Sequence, residues 1–380
     1  MLDRWFSFVI VFALSICLST GLSRVMAVEG HSAVAKEYDW SLPQWTPKPV
    51  VPEDNPMSAA KVELGRYLFY DRSLSITGKY SCATCHKQSI AFTDGRRVAI
   101  GAKDDLHPRN SMSLTNIAYN PVLTWANPLI TRLESQALIP IFGEHPLEMG
   151  MVSKEGEIIE RLQKDVQYSR MFATAFPADD PVNIDNLAKA LASFQRTLLS
   201  FNSPYDRYRY EGKRDAVSTA VKRGEKLFNS ERLECFHCHG GINFSDSIVH
   251  ERLAFSEIAF HNTGLYNIDG EGSYPPQNTG VYEISQKSED MGRFKAPTLR
   301  NIALTAPYMH DGSIATLEEV IEHYKAGGRA IAEGNNPHKS GFIKGFKLAP
   351  SEKQDLLAFL RSLTDEKFIN NPALSDPFKE

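Results

Sequence analysis

The pattern Cys-x-x-Cys-His occurs twice in the chain, at Cys82-Ala83-Thr84-Cys85-His86 and at Cys235-Phe236-His237-Cys238-His239. Each copy places two thiols where they can bond the vinyl groups of one haem and an imidazole where it can hold the iron, which is the c-type attachment pattern. A chain so marked folds around two macrocycles rather than around apolar side chains alone. A redox dithiol or half of a zinc site also uses a Cys-x-x-Cys pair, but neither needs a His after the second Cys. A four-Cys zinc site would leave both histidines unexplained.

Four of the five Cys are consumed by the two motifs. The fifth, Cys17, lies in an apolar run from Phe6 to Leu18 that follows Arg4 and precedes the small-residue site Val25-Met26-Ala27, the layout of a signal peptide over residues 1–27. The bulky Ile16 before Cys17 argues against a lipoprotein site. No later stretch reaches the apolar length that a transmembrane helix needs. Haem c is attached on the outer face of the bacterial inner membrane, so the expected location is the periplasm, with no membrane span. Loss of residues 1–27 removes Arg4 and Arg24 against Asp3 and takes the net charge from −4 to −5. Nothing in that balance points to nucleic acid or to an anionic membrane surface. The remaining length is enough for two domains, each with its own core.

The motifs sit inside a weak internal repeat. Leu64-Gly65-Arg66-Tyr67-Leu68-Phe69 precedes the first and Arg223-Gly224-Glu225-Lys226-Leu227-Phe228 the second, while Ile90-Ala91-Phe92-Thr93-Asp94 and Ile242-Asn243-Phe244-Ser245-Asp246 follow them. The glycine in each preceding stretch permits close approach of another helix. Apolar spacings of three and four predict helices over 56–70, 155–176, 184–200, 217–228, 316–324 and 351–363, the last with Ser351 as N-cap and Gln354 completing a capping box. Alternating strands are scarce. The expected fold class is therefore all-α, with two cytochrome c-like haem domains and long haem-wrapping loops. The polar, aromatic stretch Asn202-Ser203-Pro204-Tyr205-Asp206 marks the boundary, which gives domains 51–205 and 206–380, and residues 28–50 read as an extended arm.

The order of motifs is more specific. The first CxxCH is followed by Arg109-Asn110, a Gln, Pro and Glu segment, the second CxxCH, Lys295-Ala296-Pro297-Thr298-Leu299-Arg300-Asn301 and Ala306-Pro307-Tyr308-Met309-His310-Asp311-Gly312. This order resembles the bacterial dihaem cytochrome c peroxidase and MauG superfamily over roughly residues 50–365, and within it the MauG-like and MbnH-like enzymes most. The two motifs fix only the proximal ligands, His86 and His239, and the group opposite each iron decides between electron transfer and peroxide chemistry. Family peroxidases carry a Met opposite the second haem, on the helix after the Pro-Tyr-x-His-Asp-Gly turn. Here that helix has no Met, and the resemblance to MauG puts Tyr324 at the position, with Met309 and His323 as alternatives.

For the first haem, His107 lies further from His86 than the displaceable distal His of the peroxidases, and reads as a surface or structural residue. That leaves the first iron open to peroxide. The resemblance implies a distal set of Gln136, Pro140 and Glu148, with Glu144 as a rival acid. Glu148 would relay a proton between the peroxide oxygens, Gln136 would hydrogen-bond the bound oxygen, and Pro140 would restrict access without donating a proton. It also implies that Trp125 carries electron holes between the haems, a role open to an easily oxidised indole, whereas a buried core Trp is the plain alternative. A Ca²⁺ site between the haems is implied at Asn116 and the segment ending in Pro297.

The activity implied is periplasmic. H₂O₂ generates a high-valent state that oxidises an aromatic side chain on a partner protein, a Trp converted to kynurenine on a small copper-binding protein. Two other readings stay open: a dihaem peroxidase reducing H₂O₂ to water with electrons from a small cytochrome or cupredoxin, and a non-enzymatic electron carrier.

Overall fold

The computed structural model describes residues 38–329 and 336–379. The expected signal peptide, Cys17 and residues 28–37 of the arm lie outside them. Among the described residues the secondary structure is helical, with isolated bridges and no strand, so the fold is all-α. The helices of six residues or more are α1 (Ala59–Tyr70), α2 (Leu133–Phe142), α3 (Glu155–Lys164), α4 (Val166–Ala175), α5 (Ile184–Arg196), α6 (Pro204–Arg209), α7 (Thr219–Phe228), α8 (Leu317–Lys325) and α9 (Pro350–Arg361).

Two crossed helix pairs frame the molecule, and the repeat predicted both. In each, a glycine removes the side chain that would hold the helices apart. A Cβ added at Gly65 of α1 would lie 2.0 Å from the carbonyl oxygen of Ala190 in α5, and one at Gly224 of α7 would lie 2.0 Å from that of Asp355 in α9. Leu64, Leu68 and Phe69 from α1 and Leu191 and Phe194 from α5 fill one buried cluster. Phe228 from α7 and Leu356, Leu357 and Phe359 from α9 fill another. The chain's end returns to the first cluster through Phe368 and Leu374.

Several boundaries differ from the periodicity for local reasons. The helix expected over 155–176 is split at Asp165, whose carboxylate accepts from the backbone of Gln167 and Tyr168 and so caps α4 instead of continuing α3. Ser351 is not an N-cap. Pro350 occupies the first helical position, and Glu352 reaches back to accept from Ala349 N at 2.9 Å. The stretch 202–206, read above as the domain boundary, is largely buried. Ser203 and Asp206 are fully buried and cap α6 reciprocally.

Asp206 explains that burial. Its carboxylate takes two bonds from Arg300 at 2.8 and 3.0 Å, and Arg300 also donates to the carbonyl of Ile242. Both charged side chains are wholly inaccessible. Desolvating two charges is repaid only by such bidentate geometry, so the pair works as a unit.

Two tests follow from this packing. Gly65→Ala and Gly224→Ala add a good helix former, worth up to about 1 kcal/mol, but at an impossible contact, so each is expected to lower unfolding stability by about 1–3 kcal/mol; an unchanged denaturation midpoint refutes the close-approach argument. Arg300→Met leaves Asp206 buried and alone and is expected to cost about 3–5 kcal/mol, with the double variant Arg300→Met/Asp206→Leu recovering most of it in the same denaturation measurement. A double variant no better than the single one contradicts the pair's role.

Candidate active site

Each CxxCH forms one helical turn, Cys82–Cys85 and Cys235–Cys238, and its His leaves the helical conformation. The chain then reverses through left-handed residues, Ala91 and Phe92 after the first turn and Phe244 after the second. That reversal brings the Phe92 carbonyl to 2.8 Å from His86 Nδ1 and the Phe244 carbonyl to 3.2 Å from His239 Nδ1. A carbonyl only accepts, so Nδ1 holds the proton and Nε2 keeps its lone pair for a metal. Burial lowers the pKa of both imidazoles and keeps them neutral.

All four motif cysteines are unpaired. Burial pushes the thiols of Cys82, Cys85 and Cys235 up to about 12, the opposite of the low-pKa thiolate a redox dithiol needs. Each motif opens on a cavity, of about 740 Å³ at the first and about 1320 Å³ at the second. Paired thiols, a neutral imidazole with Nε2 free and a cavity of this size fit a covalently held haem at each.

Gln136, Pro140 and Glu148 line the first cavity together with His86. Gln136 and Pro140 lie one turn apart on α2, a helix the periodicity missed because Pro140 interrupts the pattern. The freed carbonyls at the end of α2 are taken up by the strap that carries Glu148: Met149 N donates to Pro140 O at 2.8 Å and Met151 N to Ile141 O at 3.0 Å. The strap is held from outside as well, by Ala102 N on Glu148 O at 2.7 Å and Ile76 N on Met149 O at 2.9 Å. Gly101 fits beneath it, where a Cβ would lie 1.9 Å from Leu147 O.

The Glu148 carboxyl makes no hydrogen bond to a described residue, and burial alone raises its pKa to about 7. Glu144 is exposed and does not line the cavity, and Glu134 turns into the core, where it pairs with Arg196 at 2.8 Å. His107 is a wall residue of this cavity rather than a surface one. Its Nδ1 accepts from Arg109 N at 3.0 Å, and burial lowers its pKa to about 4.

The second cavity is larger and mostly apolar. Tyr324 and Met309 both line it, together with Trp125, Lys295 and His310. The Tyr324 hydroxyl has no hydrogen-bond partner among the described residues, and burial raises its pKa. His323 points elsewhere, to the carbonyl of Thr263 at 3.0 Å, which removes it as a ligand candidate. Lys295, buried with a single acceptor in Val122 O at 2.9 Å, is lowered to about 7 by desolvation.

Trp125 borders the second cavity and also a smaller one of about 520 Å³ that adjoins it. Its indole donates to Asn110 O at 2.9 Å. Pro297 and Asn110 line that smaller cavity, but Asn116 does not. The Asn116 amide is spent on Ser200, through a bond from Ser200 N at 2.7 Å, and on Asn243. Asn110 Nδ2 is held by Arg96 O at 2.7 Å, and no described residue donates to its amide oxygen. The Arg109-Asn110 pair of the motif order was the signal available for it.

The two sites touch through backbone. Asn110 N donates to His310 O at 2.8 Å, and a Cβ on Gly312 would lie 2.2 Å from Arg97 O, so the 308–312 turn rests on the loop that carries His107.

A family model described as di-haem cytochrome c peroxidase matches residues 59–215. The methylamine utilization protein MauG of Methylorubrum extorquens is 34% identical over 83% of this chain and 81% of its own length. The cytochrome-c peroxidase IdrP1 of a Pseudomonas species is 35% identical over 86% and 85%. A crystal structure described as a MauG-like protein associated with microbial copper homeostasis is 48% identical, with a TM-score of 0.86 over 90% of this chain and all of that one. No described helix is long and apolar enough to cross a membrane. Identity of this order across most of both chains places the protein in the dihaem cytochrome c peroxidase and MauG family, as a peroxide-dependent oxidoreductase that carries two haems and not an electron carrier alone.

Proposed function

We propose that this enzyme uses H₂O₂ to oxidise a Trp, to kynurenine, on a small copper-binding partner protein in the periplasm, which the chain reaches through a signal peptide over residues 1–27. The observation that carries the reading is Tyr324, a phenol without another partner on the wall of the second cavity, on a helix that offers no Met. The 48% identical structure associated with copper homeostasis supports the choice of partner. The two buried clusters are read as two haem units, 51–205 and 206–380.

When bound, the two haems supply the two-electron reduction of H₂O₂ and hold the resulting oxidising equivalents. The chain's own residues govern the protons and the access. Glu148, held by its strap in a water-poor cavity, moves a proton between the two oxygens of H₂O₂. Gln136 orients the peroxide, and Pro140 narrows the approach while offering no N–H. Trp125, on the wall of the second cavity and of the smaller one beside it, would pass electrons leaving the partner towards the first site. A Ca²⁺ between the sites would be held by oxygen donors from Asn110 and the Pro297 segment, in place of Asn116.

Met309 and His107 favour a second reading, since each lines a cavity and can ligate iron. On that reading the protein is a peroxidase taking electrons from a small cytochrome or cupredoxin. Incubation with H₂O₂ and the candidate partner, followed by mass spectrometry, decides between them: a Trp converted to kynurenine with slow turnover of reduced cytochrome supports the proposal, and rapid cytochrome turnover with an unmodified partner refutes it.

Tyr324→Phe is expected to change the absorption and EPR signature of the second haem, whereas Met309→Leu is expected to leave it intact; the reverse pattern moves the ligand to Met309. Glu148 accepts a proton only when ionised, so the rate of reaction with H₂O₂ is expected to rise with pH through about 7. In Glu148→Gln the rate becomes flat with pH and falls by about 10²–10⁴-fold. Because the folded pKa is raised from 4.5 to about 7, the native state binds the extra proton in that window. The wild type therefore loses stability relative to Glu148→Gln as pH rises from about 4.5 to 7, which pH-dependent denaturation reads directly.

A further inference from the structure

The arm brings Trp45 onto Tyr210, an aromatic pair that the peroxide chemistry above leaves unused. Trp45 and Tyr210 stack with ring centroids 3.9 Å apart and planes 13° from parallel, the only stacked pair of Trp or Tyr rings among the described residues. Tyr210, at the end of α6, is 36% exposed, and every other described tyrosine is more covered. No described residue hydrogen-bonds its hydroxyl. The Trp45 indole N–H is buried without an acceptor.

Behind this pair, contacts run inward without a gap. Trp45 meets Phe201 edge-on at 5.5 Å. The Arg300 guanidinium lies 4.6 Å from the Phe201 ring and 5.6 Å from that of Phe244, its charge balanced by Asp206. Phe244 is the residue whose carbonyl holds His239. Packed rings, bridged between Phe201 and Phe244 by the charge-balanced Arg300 guanidinium, thus join the second haem site to a tyrosine at the surface.

We propose that Trp45 and Tyr210 form a surface site of one-electron oxidation, loaded by H₂O₂ through the second haem site, at which an electron-rich aromatic reductant is oxidised without entering either cavity. The inference rests on the peroxide chemistry of the family and not on the kynurenine reading. Tyr210 gives one electron inward and its phenolic proton to water, leaving a neutral phenoxyl radical. One electron and one proton from the reductant restore it. Two such events deliver the two electrons that, with two protons, convert one H₂O₂ into two waters. The pairing has a chemical logic. The Trp45 N–H has nowhere to send its proton, so a hole there stays cationic and passes to Tyr210, where the proton can leave to solvent.

The test uses haem-loaded wild type, Trp45→Phe and Tyr210→Phe, treated with H₂O₂ and the spin trap 2-methyl-2-nitrosopropane, with adducts mapped by peptide mass spectrometry. EPR on ring-deuterated-tyrosine protein runs in parallel. Wild type is expected to carry the adduct on Tyr210 and to give a tyrosyl signal narrowed by deuteration. Trp45→Phe is expected to lose the adduct several-fold, and Tyr210→Phe, which keeps the stack and the fold, to lose the signal and to retain its peroxide-oxidised absorption longer. Adduct on Tyr210 in equal yield in Trp45→Phe, or in wild type blocked with cyanide, would mean oxidation from solvent and overturns the proposal. So does a wild-type Tyr210 free of adduct, or a tyrosyl signal that survives Tyr210→Phe.

Discussion

Two backbone carbonyls, those of Phe92 and Phe244, decide which way the two imidazoles face. By accepting from Nδ1 they fix the tautomer and aim Nε2 of His86 and His239 across a cavity. The carbonyls arrive there only because Ala91, Phe92 and Phe244 accept a left-handed backbone, a cost of about 1–2 kcal/mol per residue that the buried surroundings of both Phe side chains hold in place. The crossed pairs α1/α5 and α7/α9 supply those surroundings. Their glycine contacts, repeated in both halves, set how closely the helices meet behind each haem site.

From this common plan the two sites diverge by what else lines the cavity beside the imidazole. At His86 it is a carboxyl with no hydrogen-bond partner among the described residues, on a strap whose backbone is bonded at both edges. Desolvation puts its pKa near the working range, and the strap fixes the backbone from which it reaches the cavity. At His239 it is a mostly apolar wall with Tyr324 and Met309. Backbone contact between the 308–312 turn and the loop of Arg97 to Asn110 makes the two sites parts of one body.

Much of this was legible in the chain. The CxxCH turns and the close approaches at the two Gly-x-x-Leu-Phe repeats stand where the spacing put them, and Gln136, Pro140 and Glu148, which the resemblance singled out, line one cavity. What failed did so for identifiable reasons. Pro140 masked α2 because it breaks an apolar period without ending the helix. The burial of 202–206 was not legible because its polar residues are matched by Arg300, nearly a hundred positions away, and no local window contains that partner. Asn116 was taken for a metal ligand, yet its conformation explains it better. Leu114-Thr115-Asn116-Ile117 and Leu299-Arg300-Asn301-Ile302 are a further pair of repeats, each with its Asn left-handed and its amide oxygen bound by a backbone N–H, of Ser200 and Asp365. Asn serves there as a residue that tolerates that backbone and ties down a neighbour.

We propose that the two haem sites are unequal, one open beside its His and one closed by a protein ligand. The EPR spectrum of the resting ferric protein tests it most directly. One high-spin and one low-spin iron in equal amounts are expected, with only the high-spin component altered by added cyanide. Two low-spin irons, neither responding to cyanide, would contradict it.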